Sequence, residues 1–431
     1  MYLKKRIKKS SIRLIKIFVK IGCHRLTAFI FFVFTKASTS KRKKFRVLYL
    51  SKPIFNQDVK ALISNSKEFE YYFFPRLLLS TICKLFISNF DELNDANYHP
   101  LTKDSEGVIN LRNFLRKFIN AYLMLLKFDI VLAGNFVYTQ QQEFFWVLKE
   151  RNIPVVVIYK EGMFPINRYD EMIDIFYKTK EFRGEKILLY NQKIRDTLLK
   201  AAVPGITKEN SVVVGIPRFD NYFEKSNIKE NSHLIVLFSF EADVKSNYLL
   251  DNPSNKAEFD KISKKFHQIF AEFCIKNKKY KLIVKTKSTP TAISYANNIY
   301  QEYQETLGNQ LIITSTKTAE KLIRSARFIA AYSSTTLIEA LLLDKILICP
   351  DFRKLMKSKS QDILYPHTSL ANYLNTAREL EDVIVKGISN QIYSEKTKLE
   401  FLKNMVFRAD GKVSERVEYE LLSIMKERNR G

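Results

Sequence analysis

Short apolar runs recur along this chain, separated by stretches in which apolar residues return every three to four positions. Asp129 to Ala133, Pro154 to Tyr159, Lys186 to Tyr190 and Ser211 to Val214 are such runs, with helical spacing over Gln140 to Arg151 and Lys193 to Ala201. Consecutive apolar positions predict strands buried on both faces, and their alternation with helices predicts a parallel sheet covered on both sides. Ahead of this series, FRVLYLS (45–51) predicts a first strand, and Arg76 to Ser88 and Arg112 to Leu126 predict helices in a weakly patterned region.

The polar stretch Asn221 to Ser232 breaks the pattern, and a second series follows. Its strands are His233 to Phe238, Lys281 to Lys285 and Leu311 to Thr314, and its helices Asn255 to Asn277, Ala292 to Leu307 and Thr318 to Ser325. The series closes with RFIAAYSSTTLIEALLLDKILICPDF (327–352), and the chain ends in a charged helical stretch, Thr376 to Gly431. The expected class is α/β, with two tandem doubly wound, Rossmann-like domains at 45–228 and 229–375, a basic amphipathic helix within 1–44, and C-terminal helices over 376–431. Ligands of such sheets lie outside the carboxyl ends of the strands, so two in tandem predict chemistry in a cleft between facing strand ends.

The 327–352 unit carries the sharpest chemistry. A strand ending at Tyr332 meets four hydroxyls, Ser333 to Thr336, and a helix follows through Leu343 before the strand Ile346 to Cys349. Ser334 or Thr335 can cap that helix, whose free N–H groups and positive dipole end make an anion site. Glu339 falls one turn beyond Thr335 on the same face, where a carboxylate can hold a sugar hydroxyl of a nucleotide diphosphate. The plainer reading is an ordinary capped helix. Four consecutive hydroxyls and a glutamate in an otherwise Leu, Ile and Ala helix exceed what a cap needs.

Other candidates sit at strand exits. IVKTK (283–287) carries Lys285 and Lys287, expected on one side of the pleat, either of which can neutralise a pyrophosphate or stand as a surface lysine. Glu161 follows the strand ending at Tyr159 and precedes Gly162; it can take a proton from an acceptor hydroxyl, or can pair with Lys160. In GIPRFD (215–220), Arg218 can clamp a phosphate or brace the linker by pairing with Asp220.

Charge changes the picture at one end. Of a formal net charge of +26, fourteen Lys or Arg lie in residues 1–44 with no Asp or Glu, leaving +12 for the other 387. Bases alternate with apolar residues there, and the longest charge-free apolar piece, Leu26 to Thr35, is about half the ~20 residues that span a bilayer. An interfacial amphipathic helix on an anionic membrane surface is expected. Lys36 and the basic run Lys41 to Lys44 argue against a cleaved signal peptide. No groove-reading module follows the basic segment, which argues against nucleic acid as the partner. Cys23, Cys83, Cys274 and Cys349 are far apart and predict reduced thiols, and five scattered histidines predict neither a zinc site nor another metal.

KILLYNQKIRDTLLKAAVP, SVVVGIPRFDNYF, KLIVKTK and the 327–352 segment together resemble the bacterial surface-polysaccharide transferases of GT-B fold, a group that includes the CDP-glycerol glycerophosphotransferases. The resemblance covers roughly residues 128 to 352, with GIPRFD and SSTTLIEAL as its best motifs. It implies a metal-independent glycosyltransferase without cofactor, a nucleotide-sugar donor in the C-terminal domain, and a lipid-linked or polysaccharide acceptor in the N-terminal domain. It further implies peripheral attachment to the cytoplasmic face of the inner membrane. Ser333, Ser334 and Thr335 match donor-phosphate hydroxyls, Glu339 a ribose-holding glutamate, and Lys285 and Lys287 a strand end where relatives have lysine followed by His-Pro. That His-Pro is absent from KTKSTP. Glu339 in place of an aspartate favours a sugar nucleotide over CDP-glycerol, whereas GIPRFD favours a polyol-phosphate transferase. A non-catalytic subunit of a polysaccharide-assembly complex is the alternative of another class. A sugar-nucleotide epimerase of the same plan would have no use for the basic segment.

Overall fold

The structure, a computed structural model, describes residues 2–38, 43–52, 54–95, 97–98, 105–161, 169–241, 253–332, 334–352, 369–389 and 393–428. Two compact units divide the chain. The first takes residues up to 161, 169–221 and 403 onward, and the second takes 222–402.

The first unit is built on a seven-stranded sheet in the order β1-β3-β2-β4-β5-β6-β7. Its strands are β1 (Lys36–Ala37), β2 (Phe45–Leu50), β3 (Phe69–Phe74), β4 (Ile130–Ala133), β5 (Val155–Tyr159), β6 (Lys186–Leu189) and β7 (Ser211–Val213). All neighbours are parallel except β1, which runs antiparallel to β3. β4 and β5 are buried along their whole length, which is why they read as unbroken apolar runs rather than alternating ones. Side-chain caps start the covering helices: Ser105 accepts from Val108 N–H ahead of Glu106–Leu125, and Asn191 from Ile194 N–H ahead of Gln192–Lys200.

The second unit carries a wholly parallel six-stranded sheet in the order β10-β9-β8-β11-β12-β13. These are β8 (Asn231–Phe238), β9 (Lys281–Lys285), β10 (Leu311–Thr314), β11 (Ala326–Ala330), β12 (Ile346–Pro350) and β13 (Asn372–Leu374). Most strands and helices lie within a residue or two of the sequence reading. The expected helix Ala292 to Leu307 is instead Pro290–Tyr300, a 3-10 turn over Gln301–Tyr303, and Gln304–Leu307. The weakly patterned region also holds a helix, Phe55–Asn65, and β3, neither of which the sequence reading placed.

The two ends of the chain add to the picture. In the basic segment the described residues 2–34 form two helices. Helix α1 (Tyr2–Lys20) turns at Gly22, with φ +71°, into helix α2 (His24–Phe34), and both pack on the first unit. Ile15, Val19, Ala28 and Phe31 are buried, and the Phe31 ring lies 5.3 Å from Phe74 and 5.0 Å from Phe118. The C-terminal stretch divides between the two units. Ala377–Ser389 belongs to the second unit, whereas the chain from Lys403, including the helix Val413–Arg428, returns to the first.

GIPRFD explains that return. Gly215 sits at φ +97°, a region that favours glycine, and a Cβ there would meet Val413 Cγ2 at 3.0 Å and Val406 O at 3.2 Å. Asp220 accepts from the N–H groups of Val413 (2.9 Å) and Ser414 (2.6 Å), so it caps the last helix from a distant segment. Glu418 then accepts from Ser66 Oγ, Lys67 N and Glu68 N at the end of Phe55–Asn65. Gly215→Ala is expected to cost about 1–3 kcal/mol of strain, read as a lowered unfolding midpoint of the first unit.

Candidate functional site

In the second sheet the winding direction reverses between β8 and β11, and the crevice outside their carboxyl ends is where such folds take ligands. The residues leaving β11 are Ala331, Tyr332 and, beyond Ser333, Ser334 to Thr336; Ser333 lies outside the described residues. Ser334 is the N-cap of the helix Thr335–Leu342: its Oγ accepts from Thr336 N–H at 3.3 Å and from the Thr336 hydroxyl at 2.8 Å. Thr335 opens the helix, half-buried. Beneath them Tyr332 packs among Phe240, Phe259 and Phe352, with ring centroids 4.7 to 5.4 Å away. The hydroxyls and the helix start thus stand on an apolar floor, where an anion would meet little competing water.

Glu339 is 6% exposed, and its Oε2 accepts from the Tyr222 hydroxyl at 2.6 Å. The two lysines do not act as a pair, because β9 ends at Lys285 and Lys287 lies beyond it, exposed. The Lys285 ammonium donates to the carbonyls of Thr286 (2.6 Å) and Ser315 (3.2 Å), and burial lowers its pKa. Sequence reading also missed a pair at the end of β8. Ser239 Oγ lies 3.0 Å from His267 Nε2, while His267 Nδ1 lies 2.7 Å from the Ser263 carbonyl. A carbonyl only accepts, so Nδ1 carries the proton and Nε2 receives the Ser239 hydroxyl. Burial takes the His267 pKa to about 4, so the ring is neutral near pH 7. The scattered histidines held no spacing signal that would have found it.

In the first sheet the reversal falls between β2 and β4. Lys52 follows β2, Arg76 follows β3, Tyr138 follows β4, and Lys160 and Glu161 follow β5. Glu161 Oε1 accepts from the Tyr138 hydroxyl at 2.5 Å, from Lys160 Nζ, and from Lys52 Nζ at 3.4 Å, while Oε2 has no partner among the described residues. Burial pushes the Glu161 carboxyl up, but Lys160, Tyr138 and Lys52 outweigh it and hold it below the usual glutamate range. Glu161 is therefore ionised at neutral pH. Gly162 lies outside the described residues. Lys52, Arg76 and Tyr138 were not read as site residues, although the strand-exit rule that selected Lys285 applies equally to Lys52.

Arg218 is spent on structure. Its Nη1 donates to Asp58 Oδ1 at 3.1 Å, its N–H to the same oxygen at 3.3 Å, and the Tyr190 hydroxyl to Asp58 Oδ2 at 2.8 Å. The sequence offered Arg218 as a phosphate clamp or as a brace with Asp220; the structure gives it Asp58 as an ion-pair partner.

No family model matches the chain, and no curated protein does. Among solved structures it is similar to a putative UDP-N-acetylglucosamine 2-epimerase from Listeria monocytogenes, at 11% identity and TM-score 0.51, over 89% of this chain and 97% of that one. It is also similar to the UDP-GlcNAc 2-epimerase of Methanocaldococcus jannaschii, at 14% identity and TM-score 0.50, over 88% of this chain and 99% of that one. Identities this low bear on the fold alone. The chain has the two-domain, Rossmann-like GT-B fold that its sequence led us to expect.

Proposed function

We propose that this protein is a GT-B glycosyltransferase that moves a sugar from a nucleotide-sugar donor to a lipid-linked or growing surface glycan at the inner face of the cytoplasmic membrane. The observation that carries the reading is the hydroxyl-capped helix at the reversal point of the second sheet, with buried Glu339 one turn along it. Ser333, Ser334 and Thr335 would hold the diphosphate, and the helix dipole would stabilise the departing nucleotide. Glu339 would accept the ribose hydroxyls. Lys285 would fix the loops after β9 and β10, leaving Lys287 free to meet phosphate. In the first unit, Glu161 Oε2 would take the acceptor proton; as a weak base it would do so late in the transition state. GIPRFD no longer favours a CDP-glycerol donor, because its charged residues are engaged in bracing the first unit.

Thermal unfolding with UDP, CDP, GDP, dTDP and CMP tests the reading. UDP comes first because the two structural neighbours are named for a UDP sugar. Selective stabilisation by UDP, GDP, dTDP or CMP supports a sugar-nucleotide enzyme, and selective stabilisation by CDP favours polyol-phosphate transfer. No response to any nucleotide favours a non-catalytic subunit. Epimerisation of a UDP sugar with no acceptor present would replace transfer by epimerase chemistry.

The first two helices support membrane attachment. Leu14 and Ile17 on α1, Ile21 in the turn after it, and Leu26, Phe29 and Val33 on α2 are each 44 to 69% exposed. Arg13, Lys16, Lys20 and Arg25 are exposed between them. Charge complementarity selects an anionic bilayer as the occupant, at roughly 1 kcal/mol per base near the surface. No described helix is long and apolar enough to cross a membrane. The full chain is expected to sediment with phosphatidylglycerol vesicles and at least tenfold less with phosphatidylcholine vesicles. The variant Ile17→Ser/Ile21→Ser/Phe29→Ser should lose most of that binding while keeping its unfolding midpoint; unchanged sedimentation would refute the attachment.

A further inference from the structure

The first unit gathers three cations, from the carboxyl ends of β3, β2 and β5, around Tyr138 from the end of β4. Lys52 Nζ stands 3.7 Å from the centroid of the Tyr138 ring, the Arg76 guanidinium 5.1 Å and Lys160 Nζ 5.9 Å. Nearby, Lys180 donates to the Asp95 carbonyl, and the Asp95 carboxylate accepts from Thr139 N and Oγ1, both at 3.0 Å. Glu161 serves Lys160 closely and Lys52 only at 3.4 Å. Among the described residues, Lys52, Arg76, Lys160 and Lys180 stand near the carboxylates of Glu161 and Asp95.

Arg76 is the telling member. It is 7% exposed, its Nε donates to Ser51 O at 3.1 Å, and its two terminal nitrogens have no hydrogen-bond partner among the described residues. The stem of Arg76 is enclosed while its fork is left open to a ligand, and a bidentate oxyanion is the group that fits such a fork. Crowding is consistent with an unfilled requirement for negative charge: burial first, then Lys160 and Arg76, bring Lys52 down to about 8 against the opposing pull of Glu161. The cluster sits at the reversal point of the sheet, where the winding alone predicts a ligand.

We propose that Arg76, Lys52 and Lys160, arranged around Tyr138, form an oxyanion site for a phosphate ester carried by the acceptor. Arg76 grips the phosphate with its two terminal nitrogens, Lys52 closes over it from the partly exposed side, and Glu161 bridges the two lysines through Oε1. The assignment of this phosphate to the acceptor rests on the transferase reading; the oxyanion site itself does not. Two sources share the chemistry, a polyprenyl phosphate in the membrane and a phosphate ester within a glycan.

The test is calorimetric titration of inorganic pyrophosphate into the full chain with UDP at saturation, so that the second unit is occupied. Wild type should bind, and Lys52→Gln and Arg76→Gln should each weaken binding at least tenfold. Lys52→Gln, at a partly exposed position, covers the case in which Arg76→Gln fails to fold. Equal binding by wild type and Lys52→Gln, or none by wild type, overturns the site. Pyrophosphate binding that depends on Lys52 in a protein indifferent to every nucleotide leaves the site standing and removes the transferase reading. Polyprenyl phosphate in phosphatidylcholine vesicles, competing with pyrophosphate in wild type and not in Lys52→Gln, assigns the lipid source. Competition by glycerol phosphate alone assigns the glycan.

Discussion

Asp58→Ala is expected to lower the stability of the first unit by about 3–5 kcal/mol, because it leaves the Arg218 guanidinium buried without its counter-ion. Asp58 is wholly inaccessible and Arg218 nearly so. The same carboxylate receives the Tyr190 hydroxyl, whose pKa is raised well above its ordinary value, first by burial and then by Asp58. Removing Asp58 thus takes an acceptor from a buried cation and from a buried hydroxyl together. The triple change Asp58→Leu/Arg218→Met/Tyr190→Phe removes every member and should recover most of the loss, since apolar replacement of a buried ion pair is often neutral or better. Urea unfolding followed by the fluorescence of Trp146, the single tryptophan, reports on this unit alone. A wild-type midpoint for Asp58→Ala would refute the role of the brace, and a midpoint for the triple variant below that of Asp58→Ala would refute the account of the cost.

Glu339→Ala is expected to abolish stabilisation by nucleotide. A ligand at a hundredfold its dissociation constant contributes about 2.7 kcal/mol, and all of it should vanish at concentrations that protect wild type. The substitution also leaves the Tyr222 hydroxyl without this acceptor, so the unliganded protein should lose roughly 1–3 kcal/mol. Tyr222→Phe separates the two effects. It keeps the carboxylate and removes the competing donor, so nucleotide should protect it at least as well as wild type. Protection of Glu339→Ala equal to wild type would end the ribose assignment, and loss of protection in Tyr222→Phe would make the tyrosine, not the glutamate, the ligand group.

Local chemistry made the fold legible where each element depends on its own residues. The doubly buried strands β4 and β5, and caps such as Thr318 and Ser334, are local signals, and the reading found the elements they define. What escaped it depends on partners far along the chain. Arg218 and Asp58 are 160 positions apart, and Asp220 lies 193 from the N–H of Val413, so GIPRFD could be seen as a turn but not as a brace. α1 and α2 read as a membrane helix because their basic and apolar residues interleave. That the helix Leu77–Phe86 covers one face of α1, and Glu106–Leu125 and β3 one face of α2, follows only from the assembled unit. The cluster around Tyr138 escaped for the same reason, since four strand exits meet only when the strand order is known.

The late return of the chain to its first unit sets an order of events during synthesis. At roughly 5–20 residues per second, the helix Val413–Arg428 follows β7 by about 10 to 40 s, and in that interval Asp220 and the Ser66–Glu68 turn have no cap to receive or give. The second unit, continuous from Tyr222 to Leu402, is fully delivered before the first is complete. A nascent chain halted before Val413 should therefore hold a protease-resistant second unit beside a first unit still open to cleavage, the reverse of the order in which the two begin.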